Sequence, residues 1–171
     1  MRKAILIIVA ILVVVAAVLL FRSCSDDEGG YKVRAVFDNG GFVVPGEDVR
    51  VAGANVGSVD SIDVSMPGET VSSDPDDPSR PGKAIVVMNI TDKAFQDFRE
   101  DASCLIRPQS LIGEKFIDCT VTDPRPAGTE APPALAKIPD GETGAGEYLL
   151  PLENNGKSVD QDLINNIYRH P

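Results

Sequence analysis

The chain has 171 residues, with 16 Lys and Arg against 26 Asp and Glu and a formal net charge of −10 at pH 7. This balance excludes attraction by charge to nucleic-acid backbones or to anionic lipid headgroups. The sequence has no Trp, and its one histidine is the penultimate residue, His170, so imidazole catalysis and a histidine metal site are not expected. The acidic pairs Asp76-Asp77 and Glu100-Asp101 lie in polar stretches, and we interpret them as solvated surface. We therefore expect no enzymatic activity, cofactor or metal.

An uninterrupted apolar run occupies residues 4–21, with Arg2 and Lys3 before it and an acidic stretch at 26–28 after it. As a helix the run is about 27 Å long, close to the roughly 30 Å hydrocarbon thickness of a bilayer. The positive-inside bias predicts a single-pass signal anchor within residues 1–29, a cytoplasmic N-terminus and an extracytoplasmic main domain. A cleaved signal peptide is the alternative, although the run lacks the small residues of a cleavage site.

Residues 30–122 have the pattern of one small β-domain. Polar and apolar residues alternate over 31–37, which predicts a half-buried strand. Further short strands follow between turn signals, and we interpret Gly53 and Gly57 as tight turns that need positive φ. Residues 84–90 are dense in β-branched side chains, which indicates a buried strand. The pattern predicts a mainly β fold, a small antiparallel barrel or sandwich.

Three segments lack the alternating pattern of the β-domain strands. Residues 66–83 contain four Pro and almost nothing apolar, so we expect an exposed insert. Residues 123–157 are rich in Pro and Gly and read as an extended segment, with a final short strand near 148–152. Residues 158–171 begin with a capping box and predict a short amphipathic helix. That helix either packs on its own domain, assembles with copies of itself, or continues in a longer chain.

Two cysteines fall in a predicted hairpin formed by residues 102–107 and 115–121. If Cys104 opposes Cys119 in an antiparallel pair, then Ile106 must oppose Ile117 on the same face, because strand side chains alternate. An extracytoplasmic location permits a disulfide between Cys104 and Cys119. Two reduced cysteines in the core are the alternative.

The loop of this hairpin, residues 108–114, is apolar at its centre. Loop tips normally face water and carry polar residues, yet Leu111 and Ile112 lie between Ser110 and Gly113. From the residues alone two readings stay open. Either the loop folds back and buries these side chains in its own domain, or it presents an apolar surface for assembly or ligand passage.

Two blocks of the sequence resemble the mammalian-cell-entry family, also called MCE or MlaD domains. The first is PGEDVRVAG at 45–53 with VGSV at 56–59, and the second is ASCLIR at 102–107 followed by SLIGEKFI at 110–117. The resemblance covers roughly residues 31–122 and stands behind a single N-terminal apolar run, as in that family. The C-terminal region is short compared with the long helical extension of many members.

The resemblance implies a seven-stranded barrel that assembles as a six-membered ring, homomeric or with related subunits, around a pore lined by Ser110, Leu111, Ile112 and Gly113. It also implies an anchored subunit of an ABC-type lipid transporter in the cytoplasmic membrane, with permease and ATPase partners and a phospholipid, fatty acid or sterol-like cargo. The alternative function is a structural or adaptor β-domain of the cell envelope that does not move lipid.

Overall fold

The computed structural model describes residues 30–74, 76, 78–110 and 113–156. Within them seven strands form one sheet, and two short 3₁₀ turns lie at Lys93–Phe95 and Leu152–Asn154. The strands are β1 (Tyr31–Phe37), β2 (Asp48–Val51), β3 (Ala54–Val64), β4 (Ala84–Ile90), β5 (Ser103–Pro108), β6 (Lys115–Thr120) and β7 (Tyr148–Leu150).

The strand order is β5-β6-β2-β3-β4-β1-β7, which makes a curled half-barrel with β5 and β7 at its edges. The mainly β prediction is confirmed, but the expectation of a purely antiparallel arrangement is wrong. β2 pairs with β6 in parallel, and β1 pairs with β7 in parallel. Parallel pairs need long connections, and the stretches before β5 and after β6 are long enough to supply them. Alternation within a strand reveals its faces but not its partner.

The main core lies on the concave face of the sheet. Its side chains come from every strand, and the connecting segments contribute Phe98 and Leu135. Phe98 is fully buried, and its N–H donates to the Tyr31 hydroxyl at 3.0 Å. Burial of aliphatic side chains stabilises such a core by about 1.5–3 kcal/mol for each. The fully buried members from the strands include Val33, Phe37, Val49, Val56, Met88, Ile90, Ile117 and Leu150.

β1 and β4 are buried on both faces, so the expectation of a half-buried first strand is wrong. A second apolar cluster joins Val36, Ile85 and Val87 of the convex face to Val71 and Leu152. Val71 is 1% exposed and accepts a hydrogen bond from the Leu152 N–H at 3.0 Å. Most described residues of the segment 66–83 are exposed, as expected, but Val71 and Ser72 are buried. Through Val71 the segment covers part of one face of the sheet.

Arg34 is an ionic group buried beneath this cover. Its side chain is 8% exposed and contacts Glu69 at 2.6 Å and Glu147 at 3.1 Å. Glu69 belongs to the 66–83 segment, and Glu147 immediately precedes β7. The guanidinium thus joins β1 to both covering segments. Its two carboxylate partners satisfy the charge that burial would otherwise penalise.

Asn155 connects the edge strand β5 with β1, the strand next to the opposite edge of the sheet. Its side-chain amide donates to the Val36 carbonyl of β1 at 2.8 Å, while its side-chain oxygen accepts from the Cys104 N–H of β5 at 3.0 Å. The next residue, Gly156, donates its N–H to the Cys104 carbonyl at 2.9 Å. One residue thus satisfies backbone groups that no neighbouring strand pairs.

The predicted anchor at 4–21 and the predicted helix at 158–171 lie outside the described residues. In the part of the chain that is described, no helix has the length and apolar character needed to cross a membrane.

Candidate functional site

The β5–β6 hairpin has the predicted register. Cys104 faces Cys119 and Ile106 faces Ile117. All four side chains are at most 3% exposed, whereas the alternate positions of the hairpin are half-buried or exposed. The two sulfur atoms are joined in a disulfide between adjacent strands. The hairpin is therefore held by its ladder, by an apolar face and by a covalent bond close to its open end.

The loop that closes this hairpin has an ordered base. The Gln109 N–H donates to the Glu114 carbonyl at 2.7 Å, and the Gly113 N–H lies 3.4 Å from the Ser110 carbonyl. Gly113 has φ of 105°, a conformation that a side chain would strain. The Ser110 hydroxyl oxygen is buried without a hydrogen-bond partner. Leu111 and Ile112, the centre of the predicted site, lie outside the described residues.

One carboxylate ties this base to the turn before β2. Glu47 accepts the Lys115 N–H at 3.1 Å with one oxygen and the Val44 N–H at 3.2 Å with the other. A second contact runs from the Arg50 guanidinium to the Gln109 side-chain oxygen at 2.8 Å. The base of loop 109–114 therefore lies at the end of the sheet where β1 ends and β2 begins.

The two glycines expected in turns have different roles. Gly53 lies between β2 and β3 with φ of 84°, in agreement with the prediction of a turn. Gly57 is inside β3 and has no positive φ, so its interpretation as a turn residue is wrong. A Cβ atom at Gly57 would lie 2.2 Å from the Asn89 carbonyl oxygen of β4. Its role is to let two backbones approach closely.

Asp101, a member of one of the two acidic pairs in the sequence, accepts hydrogen bonds from Thr122 and Asp123. Burial raises the pKa of Asp101, but the Asp123 N–H, the Thr122 hydroxyl and the Arg125 guanidinium outweigh it, so the pKa lies below its usual value. A general acid needs the opposite direction of shift. Within the described ranges, no three His, Cys, Asp or Glu side chains are grouped so that they could hold a metal ion.

With the fold and the hairpin established, comparison with known proteins gives the family. A family model described as "MlaD protein" matches residues 29–121, more than half of the chain. The chain belongs to the MlaD family. The resemblance inferred from the two sequence blocks is thereby confirmed, and the MlaD match includes β1 to β6, with the whole β5–β6 hairpin and its loop.

Among solved structures, a chain of the Acinetobacter MlaFEDB complex in its ATP-bound Vtrans1 conformation is similar to this MlaD-family chain. The two share 19% identity with a TM-score of 0.43, over 94% of this chain and 97% of that one. No curated protein matches the sequence.

Proposed function

We propose that this protein is the membrane-anchored, extracytoplasmic subunit of an ABC-type lipid transport system. In this proposal it forms or joins a six-membered ring, and loop 109–114 of each subunit contributes Leu111 and Ile112 to an apolar central pore. The observation that carries the proposal is membership of the MlaD family over residues 29–121. The chain itself is not an enzyme, and its cytoplasmic ATPase and permease partners supply the energy and the membrane passage.

The energetics of lipid movement favour an apolar path. Exposing an acyl chain to water costs about 0.8 kcal/mol for each methylene, so a sixteen-carbon tail costs on the order of 13 kcal/mol. A ring of leucine and isoleucine side chains lowers this cost. It also recognises tails in preference to headgroups, and this agrees with an acidic chain that has little attraction for anionic headgroups.

The hairpin geometry supports this use of the loop. Hydrogen bonds from Gln109 and Lys115 hold both sides of the loop base, and the disulfide holds the far end of the two strands. A loop with a rigid base can present two side chains at a fixed place without support from the interior of its own domain.

Replacing both Leu111 and Ile112 with Asp tests the pore. We expect transfer of a labelled phospholipid between membranes to fall by at least about tenfold, because charged side chains remove the apolar path. The measurement uses the full chain assembled with its permease and ATPase. The mass of the assembly is measured in parallel and should not change.

Val64→Asp/Met66→Asp is the matched control, because it introduces the same two charges at apolar residues that are 56% and 67% exposed on the same domain. It should leave transfer unchanged. Normal transfer by the Leu111→Asp/Ile112→Asp protein would reject the pore and favour an adaptor domain that does not handle lipid.

A further inference from the structure

A tight turn after β1 presents an aromatic side chain to solvent. The Val43 N–H donates to the Gly40 carbonyl at 2.9 Å, and the two central residues, Gly41 and Phe42, have φ of 55° and 64°. Positive φ at both central positions is the pattern of a type I′ turn, which Asn and Gly normally occupy. Phenylalanine is unfavourable there because its Cβ crowds the following carbonyl oxygen. Phe42 is nevertheless 84% exposed, so packing within its own domain does not explain its presence.

A second turn follows at once and exposes another apolar residue. Val43 is buried in the main core, whereas its neighbours Phe42 and Val44 are exposed. Val44 is 54% exposed and begins a turn in which the Glu47 N–H donates to the Val44 carbonyl at 3.3 Å. Phe42 and Val44 together form what we call the 42/44 patch. Within the described residues the other exposed large apolar side chains are Val64 and Met66.

The 42/44 patch is physically tied to the hairpin loop. Glu47 accepts the Val44 N–H with one carboxylate oxygen and the Lys115 N–H with the other. Two hydrogen bonds of 3.2 and 3.1 Å to one carboxylate place the backbone of Val44 next to the base of loop 109–114. The 42/44 patch and the base of loop 109–114 therefore lie side by side at the same end of the sheet.

We propose that Phe42 and Val44 form an acyl-chain binding surface that continues the apolar path of loop 109–114. The ligand is the hydrocarbon tail of a diacyl phospholipid, and this inference rests on the proposed lipid-transport function. Neither side chain offers a hydrogen-bonding group, so the surface selects tails and is indifferent to headgroups. Its place beside the base of loop 109–114, to which Glu47 ties it, would let a tail contact this patch and the proposed pore loop in succession. A contact outside the domain would account for an exposed phenylalanine in this unfavourable backbone conformation.

Photolabelling of the full chain in its membrane assembly tests this surface. The probe is a phosphatidylethanolamine with a diazirine at the end of one acyl chain, incorporated in vesicles that contain the assembled transporter. After irradiation and digestion, mass spectrometry identifies the labelled peptides. We expect label on the peptide that contains residues 42–44 as well as on the peptide that contains residues 111–112.

Phe42→Asn/Val44→Asn should reduce labelling of the 42–44 peptide by about tenfold, because two apolar contacts are lost. Asn tolerates positive φ, so this protein should fold and its melting temperature should not fall. Val64→Asn/Met66→Asn is the control, since it makes the same change at two apolar residues of similar exposure that form no hydrogen bond with the described residues of the hairpin loop. Its labelling should equal that of the unmodified chain.

The outcomes separate the two proposals. Label on the 111–112 peptide alone overturns the 42/44 surface and leaves the pore standing. Label on neither peptide overturns the lipid pore as well. An equal loss of 42–44 labelling in the control protein overturns the surface, because the effect would then not be local. A benzoylphenylalanine at position 42 that forms adducts with a second protein chain and none with lipid also overturns it.

Discussion

Arg34 stands between two acidic side chains in a space closed to water. Its own side chain is 8% exposed, and those of Glu69 and Glu147 are 9% and 18% exposed. Removing the cation leaves two carboxylates without their partner in a poorly solvated place. We expect Arg34→Ala to lower the free energy of unfolding by about 3–5 kcal/mol, measured by urea denaturation.

Lys32 of the same strand provides the comparison. It pairs with Asp60 at 3.0 Å, but the two side chains are 32% and 44% exposed. Solvent screens this pair, so Lys32→Ala should cost less than about 1 kcal/mol. Similar losses for the two substitutions would show that the Arg34 cluster is not effectively buried.

Positions 57 and 53 require glycine for different reasons, and substitution with alanine distinguishes the two reasons. At Gly57 a Cβ would meet the Asn89 carbonyl oxygen at 2.2 Å and the Ile90 Cα at 2.9 Å. These are backbone atoms of a central strand and cannot move aside. We therefore expect Gly57→Ala to lower the free energy of unfolding by about 3 kcal/mol. At Gly53 a Cβ would meet no other atom, but φ is 84°, which is unfavourable for alanine. Gly53→Ala should therefore lower the free energy of unfolding by about 1–2 kcal/mol. Thermal unfolding of the two proteins checks the order, and a larger loss for Gly53→Ala would contradict it.

At the scale of elements, the hairpin that carries loop 109–114 is cross-linked by Cys104 and Cys119, which are 15 residues apart. Closing a loop of this length in the unfolded chain contributes about 3 kcal/mol of stability. Reduction, or replacement of both cysteines with Ala, should lower the free energy of unfolding by that amount. Both thiols should also resist alkylation in the unfolded, unreduced protein, and modification of both by a thiol reagent would disprove the bond.

Asn155 forms hydrogen bonds with backbone groups of β1 and β5 that no neighbouring strand pairs. In Asn155→Ala the Cys104 N–H and the Val36 carbonyl lose their partner. We expect the free energy of unfolding to fall by about 2–4 kcal/mol. Hydrogen exchange of the Cys104 amide should accelerate in the same protein. Asn39→Ala, which removes one exposed hydrogen bond to the Gly41 N–H, is the control and should change stability by less than about 1 kcal/mol. An unchanged Cys104 exchange rate would argue that the edge is closed by other groups.

At the scale of the whole molecule, the proposed ring makes a prediction about mass. Native mass spectrometry of the full chain extracted in mild detergent should give an assembly of six subunits that contains copies of this 18.2 kDa chain. Leu111→Asp/Ile112→Asp should keep that mass. A monomer, also in the presence of its transporter partners, would refute the ring.

The sequence predicted those parts of the fold that depend on residues close together in the chain. The register of β5 and β6 followed from alternation, because the two strands are adjacent in the chain. The burial of Arg34 could not be foreseen, since its partners lie 35 and 113 residues away and leave no local pattern. For the same reason the cover formed by Val71 and the parallel pairing of β7 were missed.

The candidate site was found by one criterion, apolar residues at the centre of a loop. That criterion selects Leu111 and Ile112, and it applies equally to Phe42 and Val44, which the sequence pattern did not single out. What the sequence could not show is the carboxylate of Glu47, which brings the two loops together.

The closing contact of Asn155 has a consequence for biogenesis. Val36 is made early and meets its amide partner only 119 residues later, so a ribosome must finish nearly the entire domain before the first strand acquires its full set of neighbours. Until then the backbone of β1 has unpaired hydrogen-bonding groups, which can pair with other nascent chains. A chaperone that shields this edge should therefore raise the yield of folded protein, and truncation of the chain before Asn155 should lower that yield.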